Sequence, residues 1–246
     1  MVKFKSSLAQ ITVALFCLVV IPHMFGQQLV HHGQGEMAGE VTDSTVILQS
    51  RLTQEHQLVD GDLVGSPGIA RFELASEENF RDFRPTDWME ATADDDYIIK
   101  TKVDGLKPGT RYFYRLRYGA NKQDAQLGQT CSFETLDGSD KSSSVSFVVV
   151  TGMNYAFFHH GTDGHGRRMY TGTDKHLGYP ALATILQMKP NFFVGTGDNV
   201  YYDQPRSPRA RKQSELRQKW HQQFVQPRFI ELFSQVPTYW EKDDHD

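Results

Sequence analysis

The sequence predicts a chain of two parts: an antiparallel β sandwich over residues 40–138, then a parallel α/β unit over 145–246. Three observations carry this expectation. Five short runs up to Leu136 alternate apolar and polar residues with period two. After the polar segment DGSDKSSS (137–144) the pattern changes to continuous apolar runs. A segment of helical period lies between two of those runs. With 246 residues, 39% of them hydrophobic and 12% aromatic, the chain can build real cores, so disorder is not the default reading.

The N-terminus comes first. MVKFKSS carries Lys3 and Lys5 without an acid and leads into LAQITVALFCLVVI, an apolar run ending before Pro22. This is the layout of a secretory signal peptide over residues 1–26, cut after Gly26, and it implies an exported protein: periplasmic, extracellular or associated with the cell envelope. The apolar core is shorter than the ~20 residues a membrane span needs. Cys17 would leave with this segment, so Cys131 remains without a disulfide partner and reads as a buried core thiol. The net charge of −4 supplies no basic face for nucleic acid.

The alternating runs are STVILQSRL, GIARFELA, YIIKTKV, RYFYRLRY and TCSFETL, each an expected strand with one buried face. In LKPGT, Pro108 fixes one corner of a turn and Gly109 takes the positive φ that a type II turn requires at the next. The apolar runs VSFVVV and NFFV suit strands buried on both faces of a sheet. Between them, YPALATILQMK places Ala181, Leu182, Ile185 and Leu186 at helical spacing with Pro180 in the first turn. A long insertion, 155–175, follows the first of these strands. Pro227 divides ELRQKWHQQFVQPRFIELFSQ into two helices, VPTYW reads as a further buried strand, and QPRSPRARK is an exposed basic loop.

In parallel α/β sheets, ligands collect at the carboxyl ends of the strands. Three loops qualify: TGMNY, GDNVYYD and EKDDHD. In the second, Gly195 and Gly197 allow close backbone approach while Asp198 and Tyr201 turn inward from one tight turn. A carboxylate and a phenolate are hard oxygen donors suited to a highly charged ion such as ferric iron. The third loop offers Asp243, Asp244, His245 and Asp246, carboxylates together with a titratable imidazole. Turn chemistry beside a core aromatic is the plainer reading of the Asp-Tyr pair, and a solvated tail is the plainer reading of DDHD. Their joint occurrence, each directly after an apolar run, favours a site.

At these residues the chain resembles the PhoD-type alkaline phosphatases of the calcineurin-like metallophosphatase superfamily, relatives of the purple acid phosphatases. GDNVYYD is similar to the superfamily's GDxxY block, and DDHD stands where relatives carry GNH or DDH. LKPGTRYFYRLRYG resembles their fibronectin-like N-terminal domain. The resemblance implies a fibronectin- or immunoglobulin-like sandwich followed by the first part of an αββα-type metallophosphatase domain. It implies a dinuclear or multinuclear site, Fe3+ with Ca2+ or another divalent ion, that hydrolyses phosphate mono- or diesters through metal-activated hydroxide. On the same grounds Asp198 is the bridging ligand, Tyr201 a ferric ligand and Asp244 a second-metal ligand. His245 acts on the phosphate, as proton donor to the leaving group or as transition-state stabiliser.

The chain departs from the family pattern in two places. Gly152 stands where relatives place the first strand's ligand, so either Asn154 or a donor from the insertion among His159, His160, Asp163, His165, Asp174 and His176 is expected to substitute, or the first metal is held differently. The later histidine blocks have no counterpart up to Asp246, so the chain is expected to be the N-terminal portion of a longer enzyme. The alternative is a secreted binding module whose phosphatase part is degenerate or inactive. Substrate, metal pair and oligomeric state are not legible at this level.

Overall fold

The computed structural model describes residues 29–162 and 165–246. The expected signal peptide and Asp163 of the insertion lie outside the described residues. Nine strands come first: β1 Glu36–Gly39, β2 Val46–Arg51, β3 Gly68–Ala75, β4 Phe83–Pro85, β5 Met89–Ala91, β6 Ile98–Val103, β7 Arg111–Gly119, β8 Gln126–Leu127 and β9 Cys131–Glu134. Then come β10 Phe147–Val150, α1 Tyr155–His160, α2 Pro180–Met188, β11 Phe192–Thr196, α3 Gln213–Phe224, α4 Pro227–Phe233 and β12 Thr238–Glu241.

The alternating runs become strands because one side of each is apolar. Val46, Leu48, Phe72, Ile99, Tyr114, Leu116 and Phe133 meet in one core between two sheets, with Cys131 buried among them. Burying each large side chain contributes about 1.5–3 kcal/mol relative to leaving it exposed. Gly109 adopts φ 55, as its turn requires. One sheet of the sandwich contains β4, β3, β7 and β8 in order, with β5 paired to β3 and β9 to β7.

The other sheet runs β10-β11-β12-β1-β2-β6, so strands from both ends of the chain share one sheet. The pairs β10·β11 and β11·β12 are parallel, as the strand-helix-strand pattern predicts, and β12 joins β1 in parallel through Gly39 and Thr238. The segment 137–144 therefore separates two patterns of sequence without separating two sheets.

Helices α2 and α4 pack on the sheet face that carries Val148, Val150, Phe193 and Trp240. Leu182, Ile185, Phe229, Leu232 and Phe233 fill that layer. Pro180 and Pro227 occupy the first turns of α2 and α4, where a missing N–H costs no helical bond. The opposite face of β10 corrects the expectation of strands buried on both sides: Phe147 is 55% and Val149 54% exposed. The apolar packing of α2 and α4 all falls on one face, and on the other Phe147 stacks on Phe192, which in turn meets Tyr239.

Candidate metal centre

Strands β11 and β12 deliver their loops side by side, because Thr196 and Glu241 are register partners at the carboxyl ends of two parallel strands. The approach is close. A Cβ on Gly197 would stand 2.4 Å from Cβ of Asp243, and Gly197 itself has φ 86. Asp198 follows at φ 51, a left-handed conformation that non-glycine residues adopt at a cost and that functional sites retain. Asn199 fastens the two loops by donating from N and Nδ2 to Asp246 Oδ2 at 3.0 and 2.8 Å.

This brings together residues far apart in sequence. Asp198, Asp244 and His245 offer ligand atoms that all lie within 4.8 Å of one another, and among the described residues they are the group of His, Cys, Asp and Glu able to hold a cation. Tyr201 donates its hydroxyl to Asp198 Oδ2 at 2.9 Å, and its ring lies 4.6 Å from that of His245. Asp198 Oδ1 is buried without a hydrogen-bond partner. A buried carboxylate oxygen left unpaired is costly, and a cation would satisfy it. The donor set therefore fits a hard metal ion.

The electrostatics agree with a carboxylate cage. Burial, then the bond to Asp198, pushes the Tyr201 phenol up, so Tyr201 is a protonated donor in the metal-free protein. The bond to Asp203 raises His245 above the ordinary histidine value. That bond, Nδ1 to Oδ1 at 2.8 Å, gives Asp203 a place that the sequence alone left unassigned. It also leaves Nε2 as the free ring nitrogen.

Asn154 and three predicted donors of the insertion, His159, Asp174 and His176, are placed elsewhere. Asn154 caps α1, its Oδ1 accepting from the Phe157 amide at 2.9 Å. Gly152 has φ 72 and would place a Cβ 3.7 Å from the Tyr201 hydroxyl, so the first loop reaches the centre with no donor side chain at that position. In the insertion, His159 Nε2 meets Gln226 Oε1 at 3.2 Å and burial lowers its proton affinity. Asp174 pairs with Arg228 and accepts from Tyr170. His176 is exposed. The large cleft of about 990 Å³ lies away from the centre, between the sandwich and α4, and is lined in part by His56, Gln129, His159 and Ile230.

Residues 25–135 match the family model described as PhoD-like phosphatase, N-terminal domain. The solved structure of PhoD superposes with a TM-score of 0.67 at 16% identity, covering 90% of this chain and 40% of that one. A purple acid phosphatase from yellow lupin (Lupinus luteus) seeds gives a TM-score of 0.52 at 13% identity, covering 88% of this chain and 35% of its own. No curated protein matches by sequence. The chain thus spans about two fifths of the PhoD structure and about a third of the lupin enzyme. Residues 25–135 thus resemble the PhoD-like phosphatase N-terminal domain, and the chain as a whole is similar in fold to part of the PhoD structure.

Proposed function

We propose that this chain carries part of the metal centre of an exported phosphatase that hydrolyses phosphate esters. The observation that carries the reading is the convergence of Asp198, Asp244 and His245 beside a buried, unpaired Asp198 oxygen. The likeness to PhoD and to a purple acid phosphatase supports it at the level of fold. In this reading residues 40–138 form the sandwich domain and residues 145–246 the first part of an αββα-type domain.

Asp198 and Asp244 would hold the cations through their carboxylates, with Asp198 shared between them, and Tyr201 would add its phenol oxygen after losing its proton. Fe3+ with Ca2+ or another divalent ion suits these oxygen donors. Bound there, such cations supply Lewis-acid charge that polarises a phosphoryl oxygen and makes water nucleophilic near neutral pH. Asp203 holds His245 through Nδ1, so that Nε2, when protonated, would serve as proton donor to the leaving-group oxygen. Fastening of Asn199 to Asp246 keeps both loops in register while the ester binds.

Elemental analysis after loading with iron, calcium or manganese tests the centre, and release of p-nitrophenol from its phosphate mono- and diesters tests the activity. In the complete enzyme, Asp198→Asn is expected to remove the metal and nearly to abolish turnover. Wild-type metal content and rates in that variant would sink the reading. Glycan binding by a metal-free protein would favour a secreted binding module instead.

A further inference from the structure

Helix α3 has an unusual seat. The residues it buries fully are His221 and Gln223, both polar. A cavity of about 660 Å³, lined by Trp220, Phe224, Met37 and Ile47 among others, separates part of it from the sheet. Phe224 at its C-terminal end packs against Phe229, Phe233 and Trp240, and the rest of the helix is held by polar ties that run in two directions. Toward the sandwich, Arg217 donates to the carbonyls of Ala93 and Asp94 at 3.0 and 2.6 Å, and Gln218 and Gln222 both donate to that of Gly61, at 3.0 and 2.8 Å.

The central tie on this side is His221. Its Nδ1 lies 2.7 Å from Asp62 Oδ1 and its Nε2 2.8 Å from Asp96 Oδ2. A ring that serves two carboxylates from both nitrogens is an imidazolium, since each contact needs an N–H. Arg51 on β2 donates to the remaining Asp96 oxygen at 3.0 Å.

Toward the metal centre, Trp220 Nε1 donates to the Tyr202 hydroxyl at 2.7 Å and Lys219 to the Gln204 carbonyl at 2.8 Å. Gln223 donates to the carbonyls of Met153 and Asn199, each at 2.9 Å. Tyr202 N in turn donates to the His245 carbonyl at 3.1 Å. We propose that α3 is a strut positioning the loop from Asn199 to Gln204, and that Asp62 and Asp96 are positioning residues that set its seat through the His221 imidazolium.

The charged groups facing His221 are Asp62, Asp96, Arg51 and, on its own helix, Arg217. Burial opposes the imidazolium, but the bonds to Asp62 and Asp96 outweigh it, and the His221 pKa is raised. The tie is complete between the lowered aspartate values and the raised His221 value, and is lost as pH rises through the latter, leaving one half-buried carboxylate without its donor. Loss of the tie frees α3 to move into the cavity and carry Tyr202 and Asn199 with it.

The effect on the centre rests on the metal-site reading above, whereas the coupling itself does not. The test uses the whole chain, labelled with 15N and free of metal, as wild type and as Asp62→Asn, Asp96→Asn and His221→Gln. In the wild type, long-range spectra are expected to show both His221 ring nitrogens protonated at pH 7. In Asp62→Asn the His221 titration is expected to fall by about one pH unit or more. The Trp220 indole N–H and the amides of Asn199 and Tyr202 should follow that titration in both proteins.

Asn199 and Tyr202 amides that stay fixed while His221 titrates would overturn the proposal, and so would a neutral His221 at pH 7. The aspartate variants keep the test open if His221→Gln does not fold. Mn2+ alone then probes the centre: Asp62→Asn is expected to weaken its binding about fivefold, a modest coupling for remote residues. A wild type that takes up no Mn2+ but shows the coupled amide shifts supports the strut and refutes the metal-centre reading.

Discussion

Asp203 precedes His245 by 42 residues, yet its carboxylate holds the imidazole at Nδ1. Replacing it by a neutral amide removes the charge that raises His245, so in Asp203→Asn the His245 pKa is expected to fall toward about 6.5 in the metal-free protein. Ring-proton NMR against pH checks this, and an unchanged titration would show that Asp203 does not hold the ring. The difference between Asp203 and Asp198 shows what is legible at this scale. Asp198, Tyr201, Asp244 and His245 each sit just after an apolar run, so local pattern marks them. Asp203 and Tyr202 acquire partners, His245 and Trp220, only when distant segments meet. His221 is hidden for the same reason, because Asp62 and Asp96 precede it by 159 and 125 residues.

At the scale of elements, β3 and β7 are readable because alternation survives along eight and nine residues. Their pairing creates something alternation does not reveal. Glu73 is fully buried and bonded to Arg115 and Arg117 on β7 and to Arg71 on its own strand. Burial would raise the Glu73 carboxyl, but the three guanidinium groups outweigh it and hold it below the ordinary value. A depressed carboxylate contributes stability that is present above its unfolded pKa and lost as pH falls through the folded one. Denaturant unfolding of Glu73→Gln should therefore show a deficit near neutrality that shrinks on acidification below about pH 4. A deficit constant from pH 7 to 3 would mean that the charge contributes nothing. The elements that sequence misses are short or unpatterned: β4, β5 and β8 have two or three residues, and in β1, EMAG, a buried glutamate occupies a core position.

For the whole molecule, the joining of β12 to β1 decides which surfaces are covered. The shared sheet has two faces and four regions. Beside β1, β2 and β6 one face carries the sandwich core, while beside β10, β11 and β12 the opposite face carries α2 and α4. Phe147 and Val149 lie on a region that no helix covers among the described residues, and β10 is the edge strand. Sequence marks these runs as buried because they are apolar throughout, but it does not say which chain segment covers them. An apolar face beside an open edge favours association between chains. Val149→Lys with Phe147→Lys is expected to leave the unfolding midpoint nearly unchanged, because both side chains are more than half exposed. The same pair should raise the concentration at which the chain associates by about tenfold, since burial of one such side chain is worth at least about 1.5 kcal/mol. Sedimentation velocity over a concentration series measures it. Association unchanged by the two lysines would place the sticky surface elsewhere, and a large drop in the unfolding midpoint would mean that β10 is covered after all.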